Sequence, residues 1–449
     1  MGTSLDCQIL RNVFGSERMR HVFDTRQLLQ GWFEVWASLA EAEADVGLIP
    51  REAASRIRHA TRSDEFDVER IGEEVRTGRH FLMPAINALT AASGDAGRYV
   101  HWGATTQDIT DTGMVLQLRN ALDIVEPSLQ RLITILAGHV ESSGHHPMAG
   151  RTHWQHAVPI TLGFKFALWI DELARHEARI RHCRELISVA ELHGAGGTLA
   201  SLGADGLRVR AAFCKRLGLA EPDIAWHGSR DRLTELVSTI GMIAATLEKI
   251  CLEVGRLSGN DIGELHEPRR KRQVGSSTMP QKHNPILCER SVAGCRIVRG
   301  MVPVMQGLMV GCHERDLASV SGEWLLIPQC LITFDGSLQY TETILAGLQI
   351  FPDKMLENLQ ITGGGIVSEA VMFGLAAQMG RTQAHDVMVE VARAASEQKR
   401  PLLELLLERE DVTAALTREE LLALVKPENH LGLARELTDA VISRRADAG

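Results

Sequence analysis

Apolar residues recur along this chain at spacings of three and four, the period of an amphipathic helix. The pattern is clearest over residues 114–141 and returns over roughly 160–190, 230–262, 285–310 and 323–349. Helices of about 25 to 30 residues are about 40 Å long, because each residue rises about 1.5 Å. Such helices do not fit a compact single-domain bundle, so the pattern predicts an all-α protein built around a bundle of long helices.

The beginnings and interiors of these helices carry further signals. Asp111 and Thr112 stand just before the first segment and are plausible helix caps. Pro127, Pro303 and Pro328 fall inside three of the segments. Because proline removes a backbone donor and clashes with the preceding turn, we expect kinks or broken ends there.

Several segments are apolar over more than one stripe, as in Met301–Val310 and Leu325–Ile332. A helix on the surface of a monomer normally keeps one polar face. The broad apolar coverage therefore predicts packing against other subunits, in a homo-oligomer that shares a bundle core.

The long-helix pattern breaks twice, which suggests three domains. A chain of 449 residues also exceeds the size at which a single core keeps growing. We predict an N-terminal helical domain over 1–110, a central long-helix domain over 111–350 and a C-terminal helical domain over 351–449.

Composition narrows the class of protein. The chain is 45% hydrophobic and 23% charged, and its net charge of −9 argues against a general nucleic-acid binder. The N-terminus has no basic segment followed by an apolar run, and no stretch approaches eighteen uninterrupted apolar residues. The eight cysteines are scattered. We therefore expect a cytoplasmic protein whose cysteines are reduced core residues, with no membrane partner.

Residues 275–285 carry the most specific chemical signal. They read Gly-Ser-Ser-Thr-Met-Pro-Gln-Lys-His-Asn-Pro, which places hydroxyls, an ammonium group and an amide on one short loop. The loop resembles the signature of the fumarase/aspartase superfamily, Gly-Ser-Ser-x-Met-Pro-x-Lys-x-Asn-Pro, at all eight fixed positions. An ordinary linker of small residues would not explain Met279-Pro280 together with Lys282 and Asn284.

This resemblance implies a fold, an assembly and a reaction. Members of the superfamily are homotetramers whose long helices form a 20-helix core, and each active site draws residues from three subunits. They remove a proton from carbon next to a carboxylate without a cofactor. The matching base in this chain is Ser276, while Lys282 and Asn284 match the residues that hold a substrate carboxylate. Serine is a weak base in water, so desolvation, nearby cations and loop amides must activate it.

A second segment, Gly103-Ala104-Thr105-Thr106, forms a turn that enters a helix. Such a turn offers backbone amides and two hydroxyls to a carboxylate. Taken alone it is more simply a threonine-rich helix cap, which is common. The segment is similar to the superfamily pattern Gly-x-Thr-Ser-x-Asp, which makes Thr105 and Thr106 candidate substrate-binding residues.

A third segment, residues 150–159, reads Gly-Arg-Thr-His-Trp-Gln-His-Ala-Val-Pro and resembles the superfamily's Arg-Thr-His-x-Gln-x-Ala-x-Pro. The resemblance implies that Thr152 and Gln155 contact the substrate. His153 could donate a proton to a leaving group, because histidine side chains ordinarily titrate near neutral pH. A lone histidine beside a tryptophan is more often structural, but the two other matching segments favour a catalytic role.

Two further matches are weaker. Gly78-Arg79-His80 falls where adenylosuccinate lyases carry Thr-Arg-His, so His80 is a second candidate acid or orienting group; the alternative is an exposed loop histidine. His313-Glu314-Arg315-Asp316 resembles the His-Glu-Arg-Asp motif of the same enzymes, which makes Arg315 a candidate substrate-binding residue. Its alternative is a charge cluster at a helix end. The spacing of histidine, cysteine and acidic residues predicts no metal site.

Within the superfamily the chain resembles the branch of adenylosuccinate lyase and 3-carboxy-cis,cis-muconate cycloisomerase, partly through Trp226-His227 and Gly322-Glu323-Trp324. Adenylosuccinate lyases hold a nucleotide phosphate with a serine and an arginine, and those positions correspond here to Val320 and Trp324. A phosphate would lose charge-assisted partners there, so a nucleotide substrate is disfavoured.

The resemblance therefore implies cofactor-free proton abstraction on a small polycarboxylate of muconate or succinyl type. The best single interpretation is an isomerase like 3-carboxy-cis,cis-muconate cycloisomerase. Those bacterial enzymes commonly lack a histidine at the position of His153, which this chain keeps. Two alternatives remain open: a C–N lyase or epimerase acting on an N-substituted aspartate such as iminodisuccinate, and an inactive structural homologue.

Overall fold

The computed structural model describes residues 4–62, 66–78, 80–269, 279 and 281–446. These residues are mainly helical, which confirms the all-α prediction. The α-helices are α1 (Arg11–Phe14), α2 (Glu17–Val22), α3 (Thr25–Asp45), α4 (Arg51–Ala60), α5 (Val68–Gly78), α6 (Met83–Ala92), α7 (Thr106–Ser143), α8 (Leu162–Ile187), α9 (Gly206–Leu217), α10 (Asp231–Leu257), α11 (Ile286–Gly307), α12 (Leu317–Ala346), α13 (Pro352–Leu359), α14 (Ser368–Met379), α15 (Arg381–Gln398), α16 (Leu402–Leu407), α17 (Glu410–Ala415), α18 (Arg418–Leu424) and α19 (Ala434–Ala446). The strands are β1 (Pro147–Thr152), β2 (Gln155–Thr161), β3 (Leu265–His266) and β4 (Gln349–Ile350), and short 3₁₀ helices cover Gly94–Tyr99, Ala200–Asp205, Gly365–Val367 and Pro427–Asn429.

Five helices of 22 to 38 residues coincide with the five predicted long segments: α7, α8, α10, α11 and α12. Pro127, Pro303 and Pro328 lie inside three of these helices, which continue past each proline. The expected broken ends are therefore absent at these three positions.

The helix α7 begins earlier than the sequence pattern suggested. It starts at Thr106, so Asp111 and Thr112 lie in its interior and the prediction that they cap it is wrong. The two side chains make tertiary contacts instead. Asp111 pairs with Arg230, and the Thr112 hydroxyl donates to the carbonyl oxygen of Glu191.

The chain divides into two compact units. Unit 1 comprises Met1–Leu129, His176–Glu248 and Arg290–Tyr340, and unit 2 comprises Gln130–Arg175, Lys249–Glu289 and Thr341–Gly449. The division into three domains at residues 110 and 350 stays a prediction.

The core of unit 1 is built around α3. This helix buries Leu29, Phe33, Trp36 and Ala40 at spacings of three and four, as an amphipathic helix against a core should. The Asp24 side chain caps its N-terminus by accepting a hydrogen bond from the third residue of the helix. Packing against α4 and α9 completes this core.

Unit 2 contains both small sheets and the C-terminal helices. Strands β1 and β2 form an antiparallel hairpin, and β3 pairs antiparallel with β4. A second hydrophobic core joins α13 to α18 through buried residues such as Val371, Leu375, Leu402 and Leu406.

The helix α12 is long and apolar enough to cross a membrane by length and composition alone, and half of its most apolar window is buried in the structure. It also carries the buried carboxylates of Glu323 and Asp335, which pair with Arg230 and Arg18. Buried charged pairs on this helix are typical of a core helix that packs inside a protein.

The eight cysteines are all free, and six of them are buried. Cys7 is half-buried and Cys312 is exposed, so these two depart from the expectation that the cysteines are core residues.

Candidate functional site

The turn Gly103–Thr106 leads directly into α7. Gly103 has a φ of +69°, and a Cβ placed there would lie 2.4 Å from the side chain of Leu202, so both conformation and space require glycine. The backbone N–H of Thr105 donates to Asp108 Oδ2 at 2.7 Å. Because that amide already donates within the turn, Thr105 can contact a substrate carboxylate only through its hydroxyl group.

The fully buried carboxylate of Asp108 organises the surroundings of this turn. Besides the Thr105 amide, it accepts the backbone N–H groups of His193 and Gly194, each at 3.0 Å. The Nε2 atom of His227 lies 2.8 Å from Asp108 Oδ1. One carboxylate thereby ties three separate stretches of chain to the beginning of α7.

Glu191 and His193 extend this buried network. His193 Nδ1 lies 2.5 Å from Glu191 Oε1, and His193 Nε2 lies 2.7 Å from Arg210 Nη1. Because an arginine only donates, Nε2 accepts and the ring proton sits on Nδ1, facing Glu191. The other oxygen of Glu191 accepts the backbone N–H of Trp226 at 2.7 Å.

Burial and charge act in opposite directions on this network. Burial would lower the pKa of His227, but its hydrogen bond to Asp108 and the charge of Glu191 outweigh burial and raise it. Burial, together with the charge of Asp108, raises the pKa of Glu191 by more than His193 and His227 lower it. The arrangement favours a protonated His227 held between carboxylates.

Asp108, Glu191 and His227 also place possible metal ligands within 4.8 Å of one another. The spacing along the chain on which the prediction of no metal rested could not reveal a cluster drawn from three distant segments. A protonated His227 that donates to Asp108 has no lone pair for an ion at Nε2. Asp108 and His227 are hydrogen-bonded to each other in this structure, and the absence of a metal site stays a prediction.

A second buried network lies one turn further along α7. Arg230 donates to both oxygens of Asp111, at 2.7 and 3.0 Å, and its Nε donates to Glu323 at 2.9 Å. All three side chains are 2% exposed. The amide of Gln107 joins the two networks by donating to Asp111 and to the carbonyl of His227, at 2.9 and 2.8 Å. These contacts hold the first turns of α7 in place.

His80 lies in unit 1 near this turn. Its Nδ1 accepts the backbone N–H groups of Leu82 and Met83, at 3.3 and 3.0 Å, and its ring stacks on Phe81. Burial lowers the pKa of His101, and the charge of His80 lowers it further, so the two rings are within electrostatic reach. With Nδ1 engaged at the beginning of α6, Nε2 is the atom of His80 that could face a substrate.

Arg315 is half-buried in a loop that packs on the segment carrying His227. A Cβ placed at Gly228 would lie 2.8 Å from the carbonyl oxygen of Glu314, so this close approach requires glycine. Asp316 accepts the backbone N–H groups of Cys312 in the loop and of Ala318 at the beginning of α12, which agrees with a charge cluster at a helix end for that residue.

The third predicted segment forms a tight hairpin in unit 2. Thr152 pairs with Gln155 in the ladder, which leaves a two-residue loop of His153 and Trp154 with φ values of +49° and +69°. Two consecutive left-handed residues match a type I′ turn, which normally selects asparagine and glycine. Strained residues of this kind cluster at functional sites. All four residues of the tip are exposed.

The base of this hairpin is anchored firmly. Arg151 donates two hydrogen bonds to the fully buried Glu264, at 2.9 and 2.6 Å, and Asn358 donates to the same carboxylate at 2.7 Å. The Arg256 guanidinium lies 4.1 Å from the centre of the Trp154 ring. A rigid base therefore presents His153 on an exposed tip.

The signature loop is described only at its end, and Ser276 lies outside the described residues. The backbone N–H of Lys282 donates a hydrogen bond to the carbonyl oxygen of Met279 at 3.0 Å. Asn284 lines a cavity of about 520 Å³ in unit 2. Glu267, which lines the same cavity, accepts backbone N–H groups at the beginning of α11. The end of the loop is thus fixed against a capped helix.

The predicted site residues fall into two groups. Unit 1 contains His80, Thr105, Thr106 and Arg315, and unit 2 contains Thr152, His153, Gln155, Lys282 and Asn284. The buried residues that position the first group were not predicted as site residues: Asp108, Glu191, His193, His227, Arg230 and Glu323. Asp108, His227, Arg230 and Glu323 stood in segments that resemble the superfamily or this branch, and that was their only signal in the sequence.

Known proteins resemble the chain over nearly its whole length. A family model described as Lyase matches residues 14–300, and one described as Adenylosuccinate lyase C-terminus matches residues 364–441. The chain is 39% identical over 446 residues to the 3-carboxy-cis,cis-muconate cycloisomerase of Pseudomonas aeruginosa, covering 98% of this chain and 97% of that protein.

Two further likenesses bear on the reaction. The chain is 38% identical over 439 residues to the N-acetyl-S-(2-succino)cysteine lyase of Enterococcus italicus, covering 98% of this chain and 96% of that protein. The crystal structure of 3-carboxy-cis,cis-muconate lactonizing enzyme from Pseudomonas putida superimposes with a TM-score of 0.93 at 34% identity, covering 98% and 99% of the two chains.

Proposed function

The chain belongs to the fumarase/aspartase superfamily, in the branch of muconate cycloisomerase and adenylosuccinate lyase, and we propose that it removes a proton from carbon next to a carboxylate of a small polycarboxylate. It is an isomerase or lyase. The substrate is of muconate or succinyl type and no cofactor takes part.

Elimination and ring closure are the two directions of one type of reaction. In elimination, a base takes the proton, a double bond forms, and the bond from the neighbouring carbon to its heteroatom breaks, with the electron pair leaving on the heteroatom. Ring closure is the reverse, since a carboxylate oxygen adds to one alkene carbon and a proton to the other. The intermediate gathers two negative charges on one carboxylate, so donors at that group lower the barrier. We assign the base to Ser276, the proton donor to His153, and the carboxylate contacts to Thr105, Thr106, Lys282 and Asn284.

The observation that carries this assignment is the hairpin tip. His153 is held in a left-handed conformation on an anchored turn and its side chain is exposed. A purely structural histidine has no need of a strained, exposed position. A second surface must cover it to exclude water, and we propose that another subunit of a homotetramer does so.

Among specific reactions, that of a muconate cycloisomerase is the first candidate, supported by the likeness to two such enzymes. An adenylosuccinate substrate is disfavoured at the two positions where that family holds a phosphate. Val320 is buried, and Trp324 packs edge-on against Phe81 with ring centres 4.4 Å apart. An apolar pair of this kind offers a phosphate no charge-assisted partner.

A second candidate is elimination from, or epimerisation of, a substituted succinate. The presence of His153 favours it, because a donor on the face opposite the base suits protonation of a leaving amine or thiol. It also suits exchange of a proton between two faces of one carbon. The likeness to a lyase of a succinylated cysteine supports elimination.

A panel of substrates followed by ultraviolet absorbance tests the proposal. We expect 3-carboxy-cis,cis-muconate to lose its conjugated absorbance, whereas N- or S-substituted succinates would gain that of fumarate. An epimerase would change optical rotation at constant absorbance. Ser276→Ala should abolish whichever signal appears. No signal with any member of the panel would contradict the proposal and favour a structural homologue.

A further inference from the structure

A cavity of about 470 Å³ lies in unit 1 beside the beginning of α7. Its lining is mostly large apolar side chains that are only half-buried, among them Trp32, Ile71, Phe81 and Trp324. No charged side chain occurs among the described residues that line it. The size is that of a small-molecule site.

The cavity adjoins the candidate site on two sides. Thr110, which lines it, stands four residues after Thr106 on α7, so the two side chains share one face of the helix. Phe81, which also lines it, stacks on the ring of His80 with centres 5.5 Å apart. A group bound at Thr106 and His80 would therefore sit at the edge of this cavity.

Three polar side chains line the cavity, and those of Gln117 and Thr110 already donate hydrogen bonds. The Gln117 amide donates to the carbonyl of Val22 at 2.9 Å, and the Thr110 hydroxyl donates to the carbonyl of Gln107 at 3.5 Å. A carboxylate placed in this cavity would exchange water for apolar walls, at a large cost in free energy. The cavity thus selects carbon-rich groups and excludes a second or third carboxylate.

We propose that the substrate carries an apolar, preferably aromatic, substituent beside its carboxylates, and that this cavity binds it. The proposal rests on the proposed function and deepens it. The cavity supports the second candidate, a substituted succinate, because 3-carboxymuconate has three carboxylates and would place no apolar group there, whereas the likeness to known enzymes supports the first candidate. Trp324 and Phe81 form the wall nearest the reacting end and are specificity-determining residues.

Calorimetric titration of the full chain with benzylsuccinate and methylsuccinate tests the proposal without requiring turnover. Both ligands present the same two carboxylates and differ in the apolar group. Benzylsuccinate should bind at least about tenfold more tightly, since even single methylenes in apolar pockets change affinity by such factors.

A substitution that fills the cavity tests whether the cavity causes the difference in affinity between the two ligands. Gly72 lines the cavity on α5, and a Cβ there meets nothing within 4 Å, so Gly72→Leu adds bulk to the cavity and improves helix propensity. Arg70→Leu adds the same side chain on the opposite side of the helix, at the cost of one exposed ion pair with Glu74. Gly72→Leu should abolish the preference for benzylsuccinate and leave the affinity for methylsuccinate unchanged, and Arg70→Leu should change neither.

Equal affinities for the two ligands would overturn the proposal, as would an equal loss of both in Gly72→Leu. Binding of neither ligand would contradict the cavity and the carboxylate site together. An inactive enzyme that still prefers benzylsuccinate, and loses that preference in Gly72→Leu, would contradict only the proposed reaction.

Discussion

His153 and Trp154 occupy two turn positions for which asparagine and glycine are the ordinary residues. Left-handed backbone costs a residue with a Cβ roughly 1–2 kcal/mol. A histidine at this position carries that strain, and in return its imidazole is exposed at the tip of the hairpin. The strand pairing and the buried Arg151–Glu264 contact hold the turn rigidly in this conformation.

The substitution His153→Asn separates the chemistry of this residue from its turn. Asparagine tolerates the left-handed conformation, so the hairpin should fold normally while the proton donor is lost. We expect kcat to fall by about 10²- to 10⁴-fold, with KM little changed, in steady-state assays on the active substrate. Trp154→Gly, which also suits the turn, is the control for hairpin geometry. Unchanged kcat in His153→Asn would transfer the donor role to His80 or to solvent.

Glu43 is a second residue at odds with its surroundings. It is fully buried on α3, and neither carboxylate oxygen has a hydrogen-bond partner among the described residues. Burial raises the pKa of Glu43 from 4.5 to about 9. The folded protein therefore keeps a proton that the unfolded chain releases above about pH 4.5, so the free energy of unfolding falls as pH rises towards about pH 9.

Glu43→Gln should remove this pH dependence. Its stability relative to the natural protein should increase with pH, by at most about 1.4 kcal/mol per pH unit between about pH 5 and pH 9. Urea denaturation at several pH values measures the difference, with Glu52→Gln on the exposed side of α4 as control. A difference that stays constant with pH would show that Glu43 ionises in the folded state at its ordinary pKa.

At the scale of elements, the long helices were predictable, and α8, α10 and α11 start within two residues of the predicted positions, whereas α7 and α12 start earlier. The apolar period of α7, α8, α10, α11 and α12 extends over many turns, so a local pattern suffices to identify them. The beginning of α7 depends on Asp108, whose four hydrogen-bond donors come from three stretches of chain. Three of these donors are distant in the sequence, and the apolar period alone placed the caps at Asp111 and Thr112. The observed start agrees instead with the interpretation of Gly103–Thr106 as a turn that enters a helix.

Some residues of the candidate site were predictable from the sequence and others were not. The segments around Thr105 and His153 have distinctive sequences, so their resemblance to a superfamily identified them. The buried partners Glu191 and His193 have no local signature, because residues of these types are usually exposed or only partly buried. Only the folded chain shows that they support the turn that precedes α7.

Asp108→Asn tests whether this network positions the beginning of α7. An amide keeps the shape of the side chain but replaces one acceptor oxygen with a donor, which leaves buried N–H groups unpaired. We expect the free energy of unfolding to fall by about 3–5 kcal/mol in urea denaturation. Asp45→Asn, in the exposed pair with Arg216, should cost less than about 1 kcal/mol. Equal costs for the two substitutions would contradict the role of Asp108.

The pH dependence of that difference has a definite sign. The pKa of His227 is raised in the folded protein. Its pairing with Asp108 therefore adds its full contribution to the free energy of unfolding at pH values below 6.5, the ordinary pKa of histidine. That contribution disappears as pH rises through the raised pKa. The gap in stability between the natural protein and Asp108→Asn should therefore narrow as the pH is raised through that range.

At the scale of the whole molecule, the described surface looks incomplete as a monomer. Ile297 on α11 and Leu325 on α12 are 47% and 66% exposed, on helices that the sequence pattern assigned to a shared core. The hairpin tip bearing His153 is exposed as well. Both features are explained if, as we propose, subunits pack their long helices together and each covers the hairpin tip of another.

Co-refolding of Ser276→Ala with His153→Asn tests the central claim most directly, because each variant alone lacks one essential group. If every site takes these two residues from different subunits, random mixing in equal amounts leaves about a quarter of the sites with both groups intact. We predict that the mixture regains about a quarter of the natural activity while each variant refolded alone stays inactive. A mixture as inactive as its components, although mixed oligomers form, would contradict a site shared between subunits.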